Sequence, residues 1–397
     1  MEKANKQLLW FEVACVEENK LWFISGIGNG LFEFDLESKK TKFLGIIPEE
    51  DFCKRRIIGV IKKWNNELIM APYNGNYFVR YNLETKKFSV KKCLVETDQK
   101  FSCGVVYKDS IYFLGCKYLG IAKYDINKDE IIYLESFKSE VLNEVQDVND
   151  LYFRNSAYLK GDTLIIPSCQ KNFLLEYNLK DNSYFLRKIG EEDFRFNTVI
   201  CEGDNYWLMP RKQKVIVKHN YKTNKESYYP INQFSFTEIN GLYSSDSVKT
   251  DRSILIFDLI SENVGKVNCE NNEMALEKIQ ITEKSNKDDV LKNQYITWIN
   301  EYKNNVLIFS SKLMQLIEID ENVKIHRLYS ITLSEDEEKK YYKEMINGRF
   351  NYIQENKSFC NLEKYIEEVS VEVPILQERE NVGKKIHDNI LELLKEG

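Results

Sequence analysis

Few residues in this chain can hold or transform another molecule, and those that can recur at corresponding places of a repeat. Arg154, Arg195 and Lys100 supply positive charge, Glu12 supplies a carboxylate, and Trp10, Tyr152 and Tyr295 supply flat aromatic faces. The planar fork of arginine grips a carboxylate or phosphate through two hydrogen bonds, and an aromatic face stacks against a sugar or another planar ring. Asn197, Thr297, Tyr73 and Arg211 fall at neighbouring positions and complete a ligand-binding set. Such a set is suited to recognising an anion. In a catalytic alternative, Tyr152, Glu12 and Tyr295 are the acid and base candidates, with Arg154 and Arg195 holding an acidic substrate. The reaction is then a lyase, cyclase or isomerase step on an acidic substrate, without a cofactor.

Other chemistries lack their residues. The three histidines, His219, His326 and His387, fall outside these positions, which leaves no material for a Ser-His-Asp triad or a histidine metal site. No cofactor and no metal is expected. Gly26-Ile27-Gly28-Asn29-Gly30 joins two strand-like runs, so it reads as a turn and not as a phosphate cradle opening a helix. The nine cysteines are scattered without a CxxC pair, and Cys103, Cys116 and Cys201 sit in apolar runs, as reduced core residues do. The net charge of −6 is spread among interspersed acids and bases, which leaves no basic footprint for nucleic acid. Glu2, Glu12, Glu17 and Glu18 interrupt the first twenty residues, unlike a secretory leader, and no stretch approaches the ~18 apolar residues of a membrane helix. The expectation is a cytoplasmic protein that meets neither membrane nor nucleic acid.

The elements that position these residues follow from an internal repeat. Seven short apolar runs, LWFIS from Leu21, LIMAP from Leu68, IYFLG from Ile111, TLIIP from Thr163, YWLMP from Tyr206, ILIFD from Ile254 and VLIFS from Val306, each follow a polar turn. Each leads to an alternating strand that ends in Asp35, Asn82, Asp125, Asn178, Asn220, Asn268 or Asp320, at spacings of 47, 43, 53, 42, 48 and 52 residues. Asp and Asn at such ends accept hydrogen bonds from backbone two residues on and tolerate a tight turn. With a β-rich stretch before each run and another after each turn, every unit holds four antiparallel strands, the content of a propeller blade. The class is therefore all-β, a seven-bladed β-propeller of four-stranded antiparallel blades with a C-terminal α-helical tail.

Blades are expected at about 7–47, 55–93, 100–137, 151–189, 195–230, 235–281 and 294–331, giving a propeller over 1–333 and a tail over 334–397. The pattern resembles the seven-bladed propellers of the kelch and YVTN-like groups over about four fifths of the chain. The kelch double glycine, the Trp-Asp ending of WD40 blades and the Asp-box are missing, so the resemblance implies architecture and no active site. In the tail, Ser334 to Glu337 fits a capping box. Leu362, Tyr365, Ile366 and Val369, and then Val382, Ile386, Ile390 and Leu393 after Pro374, mark amphipathic helices. They either pack on one face of the propeller or form a homodimer or partner-docking surface.

By analogy with the fold, ligands bind where the first strands enter the channel, beside the loops joining second and third strands. The repeat alignment gives an apolar column of Phe11, Ile58, Phe101, Phe153, Phe196, Phe236 and Ile296 between blades. Next to it runs a polar ring of Glu12, Gly59, Ser102, Arg154, Asn197, Thr237 and Thr297. The mouth above it carries Trp10, Ile57, Lys100, Tyr152, Arg195, Ser235 and Tyr295, joined by Tyr73, Asn74, Gln170 and Arg211 from the loops. Besides the catalytic alternative, two readings stand: a binding module or scaffold for an anionic small molecule, glycan or peptide, and a water-filled channel in which Glu12 and Arg154 merely pair.

Overall fold

A computed structural model describes residues 9–26, 28–50, 54–145, 150–154, 156–232, 236–239, 242–280 and 295–356, with side chains through 345. Seven four-stranded antiparallel sheets, each built from consecutive strands, form the blades of a propeller. The innermost strands are Val13–Glu17, Ile58–Trp64, Phe101–Tyr107, Tyr158–Lys160, Phe196–Glu202, Ser245–Lys249 and Ile296–Tyr302. They neighbour one another in this order, and the last returns to the first to close the ring. The second strands are the buried centre of each blade, as their unbroken apolar runs require.

Each of the seven Asp and Asn anchors does what its residue type allows. Asp35 Oδ1 accepts from Ser38 N at 2.7 Å, Asn82 Oδ1 from Thr85 N at 2.7 Å and Asn178 Oδ1 from Lys180 N at 2.8 Å. Asp125, Asn220, Asn268 and Asp320 close their turns in the same way. The turn that follows puts one residue in the left-handed region in every blade: Lys39, Lys86, Asp129, Asn182, Asn224, Asn272 and Val323.

Seven apolar clusters fill the seven gaps between blades. Phe78, Phe101 and Phe113 share the gap between blades two and three, for example, and Trp207, Ile254 and Ile256 that between five and six. A short helix, α1 (Lys138–Glu144), buries Val141 in the gap between blades three and four.

Among the described residues no strand is exchanged between the first and last blades, and side chains close the ring. Phe11 stacks on Phe309 at 4.0 Å, Thr297 Oγ1 donates to Phe11 O at 2.7 Å, and Trp298 Nε1 donates to Ala14 O at 3.2 Å. Helix α2 (Glu335–Asn356) then crosses the joint and lies on the outer part of blade one. Tyr341, fully buried, packs edge-on against Phe32 with ring centres 5.1 Å apart and tilted against Phe43 at the same separation. Gly30 is what admits it, because a Cβ there would stand 2.7 Å from Tyr341 Cε2. Ser334 caps the helix weakly, with Glu337 N 3.4 Å from its Oγ. The expected capping box is not closed on its other side: the Glu337 carboxylate reaches across to accept from Phe43 N at 2.8 Å. The tail helices expected around Leu362 and Val382 lie outside the described residues.

Blade six departs from the expected alignment. Its innermost strand is Ser245–Lys249, about nine residues beyond Phe236 and Thr237, which were assigned to it from the sequence. Thr237 lies ahead of the strand, donating its N and Oγ1 to the buried Asp258 at 2.9 Å each. Glu238–Ile239 and Leu242–Tyr243 form a separate small hairpin before the blade. The true strand, Ser-Asp-Ser-Val-Lys, offers a single apolar residue, Val248, too little to align on. Ser235 is outside the described residues.

Candidate functional site

Most members of the polar ring owe their position to an irregularity in the sheet. In blades two, three, five and seven the pairing between the first two strands slips by one residue, which leaves Gly59, Ser102, Asn197 and Thr297 as the extra residue of a β-bulge. Such bulges re-aim a side chain at the end of a strand. Gly59 shows how crowded this level is, since a Cβ there would stand 2.0 Å from Phe101 O. Blade six has no bulge: Ser245 pairs with Asp258 and Asp246 with Phe257 without a shift.

Asn197 and Arg154 are the centre of the site. The amide nitrogen of Asn197 donates to Pro210 O at 3.0 Å, Tyr243 O at 2.9 Å and Ser245 Oγ at 3.1 Å, which fixes its oxygen toward Arg154. Arg154 Nη1 donates to that oxygen at 3.0 Å. Among the described residues no carboxylate forms an ion pair with Arg154, and its side chain is part-exposed. Its charge acts on Tyr73 of blade two, Cys116 of blade three, Cys169 of blade four and Asp246 of blade six, so the guanidinium is central to the ring.

Glu12 does not pair with Arg154. Its Oε2 stands 3.1 Å from Arg56 Nε, a residue the sequence alignment did not select. Arg56 holds φ at 49°, in the left-handed region that costs a bulky side chain energy and that gathers at functional sites. This conformation lays its guanidinium over the Tyr73 ring at 4.1 Å. Gln99, with φ at 48°, does the same one blade on and accepts from Tyr73 OH at 3.0 Å. Asn74 ties the two loops together, donating from Nδ2 to Arg55 O at 3.0 Å and from its backbone N to Arg56 O at 3.1 Å, while its Oδ1 accepts from Gln99 N at 3.3 Å. Trp10, Glu12, Ser25, Gly26, Arg56 and Ile58 line a shallow cleft of about 10 Å³, room for a single water, beside this group.

Protonation states follow from burial. The Tyr73 hydroxyl is pushed up to about 12 by burial, with the Arg56 charge pulling the other way. Burial also raises the thiols of Cys116 and of Cys169, the latter to about 12, against the pull of nearby arginines. Seven described cysteines are free, and these two are protonated core groups.

Several other expected site residues have different surroundings. Tyr152 belongs to the apolar cluster between blades three and four and Tyr295 to that between blades six and seven. Lys100 is buried, its ammonium held below the usual lysine range by burial and by the Lys54 charge, against the pull of Cys93, Glu50 and Asp98. Arg211 is committed to structure, donating to Cys169 O at 2.8 Å and pairing with Asp150 at 3.1 Å. Trp10 is buried in the seam with Arg55 over its ring at 5.2 Å, and the Thr297 hydroxyl serves Phe11 O. The side chain of Arg195 makes no ion pair among the described residues, while its carbonyl accepts from Arg211 N at 2.8 Å. Glu12 is also not the only inward carboxylate, because Asp150 and Asp246 accompany it.

No protein-family model and no curated protein sequence matches the chain. Similar solved structures include virginiamycin B lyase from Staphylococcus aureus, 11% identical with a TM-score of 0.58, covering 79% of this chain and 95% of that one. A streptogramin B lyase structure is 13% identical with a TM-score of 0.54, covering 75% and 89%. The computationally designed Ika8 protein is 7% identical with a TM-score of 0.51, covering 82% and 89%. At these identities the likeness is one of fold, and with the seven closed sheets it identifies a seven-bladed β-propeller module.

Proposed function

We propose that this propeller is a binding module that takes an anionic small molecule, glycan or peptide segment at the channel mouth. The observation that carries the reading is Arg154: held by Asn197, facing the ring interior, and without a carboxylate partner among the described residues. A buried asparagine with every donor used is a costly support for a residue that does nothing, whereas it suits a cation pre-aimed at a guest. Arg56, strained and stacked on Tyr73, adds a second guanidinium on the same rim, and Tyr73 gives a planar guest a surface. The free thiols fit a cytoplasmic setting, and no described helix is long and apolar enough to cross a membrane.

A catalytic version of this site would use Glu12 and Tyr73, which share the rim with Arg56, instead of the core residues Tyr152 and Tyr295. The reading is tested by calorimetry with citrate, glucuronate, inorganic phosphate and an acidic peptide. One or more should bind, and Arg154→Gln should weaken that binding by roughly 10- to 100-fold, the worth of a charge-assisted hydrogen-bonded pair. Unchanged affinity in a folded Arg154→Gln protein sinks the reading.

A further inference from the structure

Asp246 sits inside the same ring as Arg154, and the two do not meet. It lies on the innermost strand of blade six, whose pairing runs without the bulge seen in blades two, three, five and seven. Its neighbours Ser245 and Ser247 face blade five, bonding Asn197 Nδ2 at 3.1 Å and Thr198 Oγ1 at 2.6 Å. Strand alternation therefore turns Asp246 away from that contact. Among the described residues its only hydrogen bond comes from the backbone next to it, Ser247 N to Oδ1 at 2.8 Å, and none of them engages Oδ2. The side chain is part-exposed, and its charge acts on Cys103 of blade three across the channel.

Arg154 is connected to the same place through Asn197 and Ser245, two hydrogen bonds away, yet its nitrogens stand more than 4.0 Å from the Asp246 carboxylate. The ring interior thus brings a cation and an anion within reach of each other's charge, each with unused hydrogen-bonding capacity and each without an ion-pair partner among the described residues. A guest that is only an anion satisfies Arg154 and leaves Asp246 repelling it. A guest carrying both charges satisfies both. Burial lifts the Asp246 carboxyl to about 6, with the Ser247 N–H and Arg154 pulling it back, as expected of a carboxylate enclosed without a counter-ion.

Building on the anion site described above, we propose that its guest is a small zwitterion of the α-amino-acid type, its carboxylate taken by Arg154 and its ammonium by Asp246. Tyr73, on the same rim, offers its ring to the guest's side chain.

The test is calorimetry on the full chain with the twenty common L-amino acids, each beside the acid that lacks its α-amino group. At least one amino acid should bind roughly 10-fold or more tighter than its deaminated partner, the scale of one hydrogen-bonded charge pair. In Asp246→Asn that preference should fall to within about 3-fold, with binding of the deaminated acid kept or improved, and Asp246→Ala should repeat the result. Arg154→Gln should lose both members of the pair. Equal affinity for the two members in the unmodified protein, or no binding of any amino acid at millimolar concentration, overturns the zwitterion while leaving the anion site standing. Deaminated acids that bind equally well with and without Arg154 overturn the anion site itself.

Discussion

Asn197 Oδ1 accepts from Arg154 Nη1 at 3.0 Å across the gap between blades five and four, and the rest of the Asn197 amide is spent on blades five and six. Removing it frees the arginine and strands the Pro210 and Tyr243 carbonyls. Asn197→Ala should lower unfolding free energy by roughly 1–3 kcal/mol, read by urea denaturation. It should also weaken anion binding by about 10-fold although Asn197 need not touch the guest, because Arg154 must then be ordered on binding. Full affinity in the variant would show that Arg154 is aimed by something else.

Arg56→Lys tests the stacked rim. A lysine keeps the charge but cannot lie flat on Tyr73 or present a fork to Glu12. The expected outcome is a loss of affinity for the anionic guest of roughly 3- to 10-fold with little change in stability, since a part-exposed pair contributes about 1 kcal/mol or less. An unaltered calorimetric titration would place the guest elsewhere in the ring.

Tyr341 and Gly30 should behave as one unit. Tyr341→Ala opens a cavity against Phe32 and Phe43, and a destabilisation of about 3 kcal/mol is expected. Gly30→Ala drives a methyl against the rings of both Tyr341 and Phe32, so it should destabilise alone and less so in the Tyr341→Ala background, where Phe32 can yield into the vacated space. Both are read from denaturation midpoints, and simple additivity of the two changes would contradict the contact.

Asp246 gives a pH signature. A carboxyl raised from 3.8 to about 6 holds its proton more tightly in the folded chain than in the unfolded one, so it lowers stability as pH rises from about 4 to 6. Above pH 6 that penalty is fully present; below 4 it is absent. Asp246→Asn should therefore be more stable than the unmodified protein at pH 7.5, by roughly 1–3 kcal/mol, and indistinguishable from it near pH 4. A difference that does not vary with pH would exclude the assignment.

The turn anchors are worth testing as a class. Asn82→Ala removes two backbone hydrogen bonds at an exposed turn, and a loss of about 1 kcal/mol is expected, seen as a lower midpoint with an unchanged denaturant slope.

The architecture was legible because its signals are local and repeat seven times. An apolar second strand and an Asp or Asn before a tight turn are both dictated by burial and turn chemistry within a few residues. Blade six escaped for the converse reason, since its first strand is polar and an extra hairpin precedes it. The site was legible only in part. Arg154 and Asn197 stand in the aligned ring, but Arg56 lies in a loop three residues before the ring position of its blade, Gly59, and is brought in by its left-handed backbone. The paired Arg55-Arg56 ahead of Ile57 was the available signal. Tyr152 and Tyr295 were read as walls of the mouth, yet at their register the side chain turns into the gap between blades, where apolar neighbours receive it. Asp246 could not be found while its strand was misplaced.

The joint between blades seven and one has no loop connecting its two sides directly, unlike the six other joints. In effect it is a docking interface between two parts of one polymer, held at the high local concentration that the intervening blades impose. Helix α2 works there as a staple across the break. Glu12 stands next to Phe11, which closes that joint, and pairs with Arg56 on the rim. The packing that closes the ring and the ion pair that borders the mouth thus belong to adjacent residues of one strand entry, so the closure of the polymer and the shape of its rim are set together.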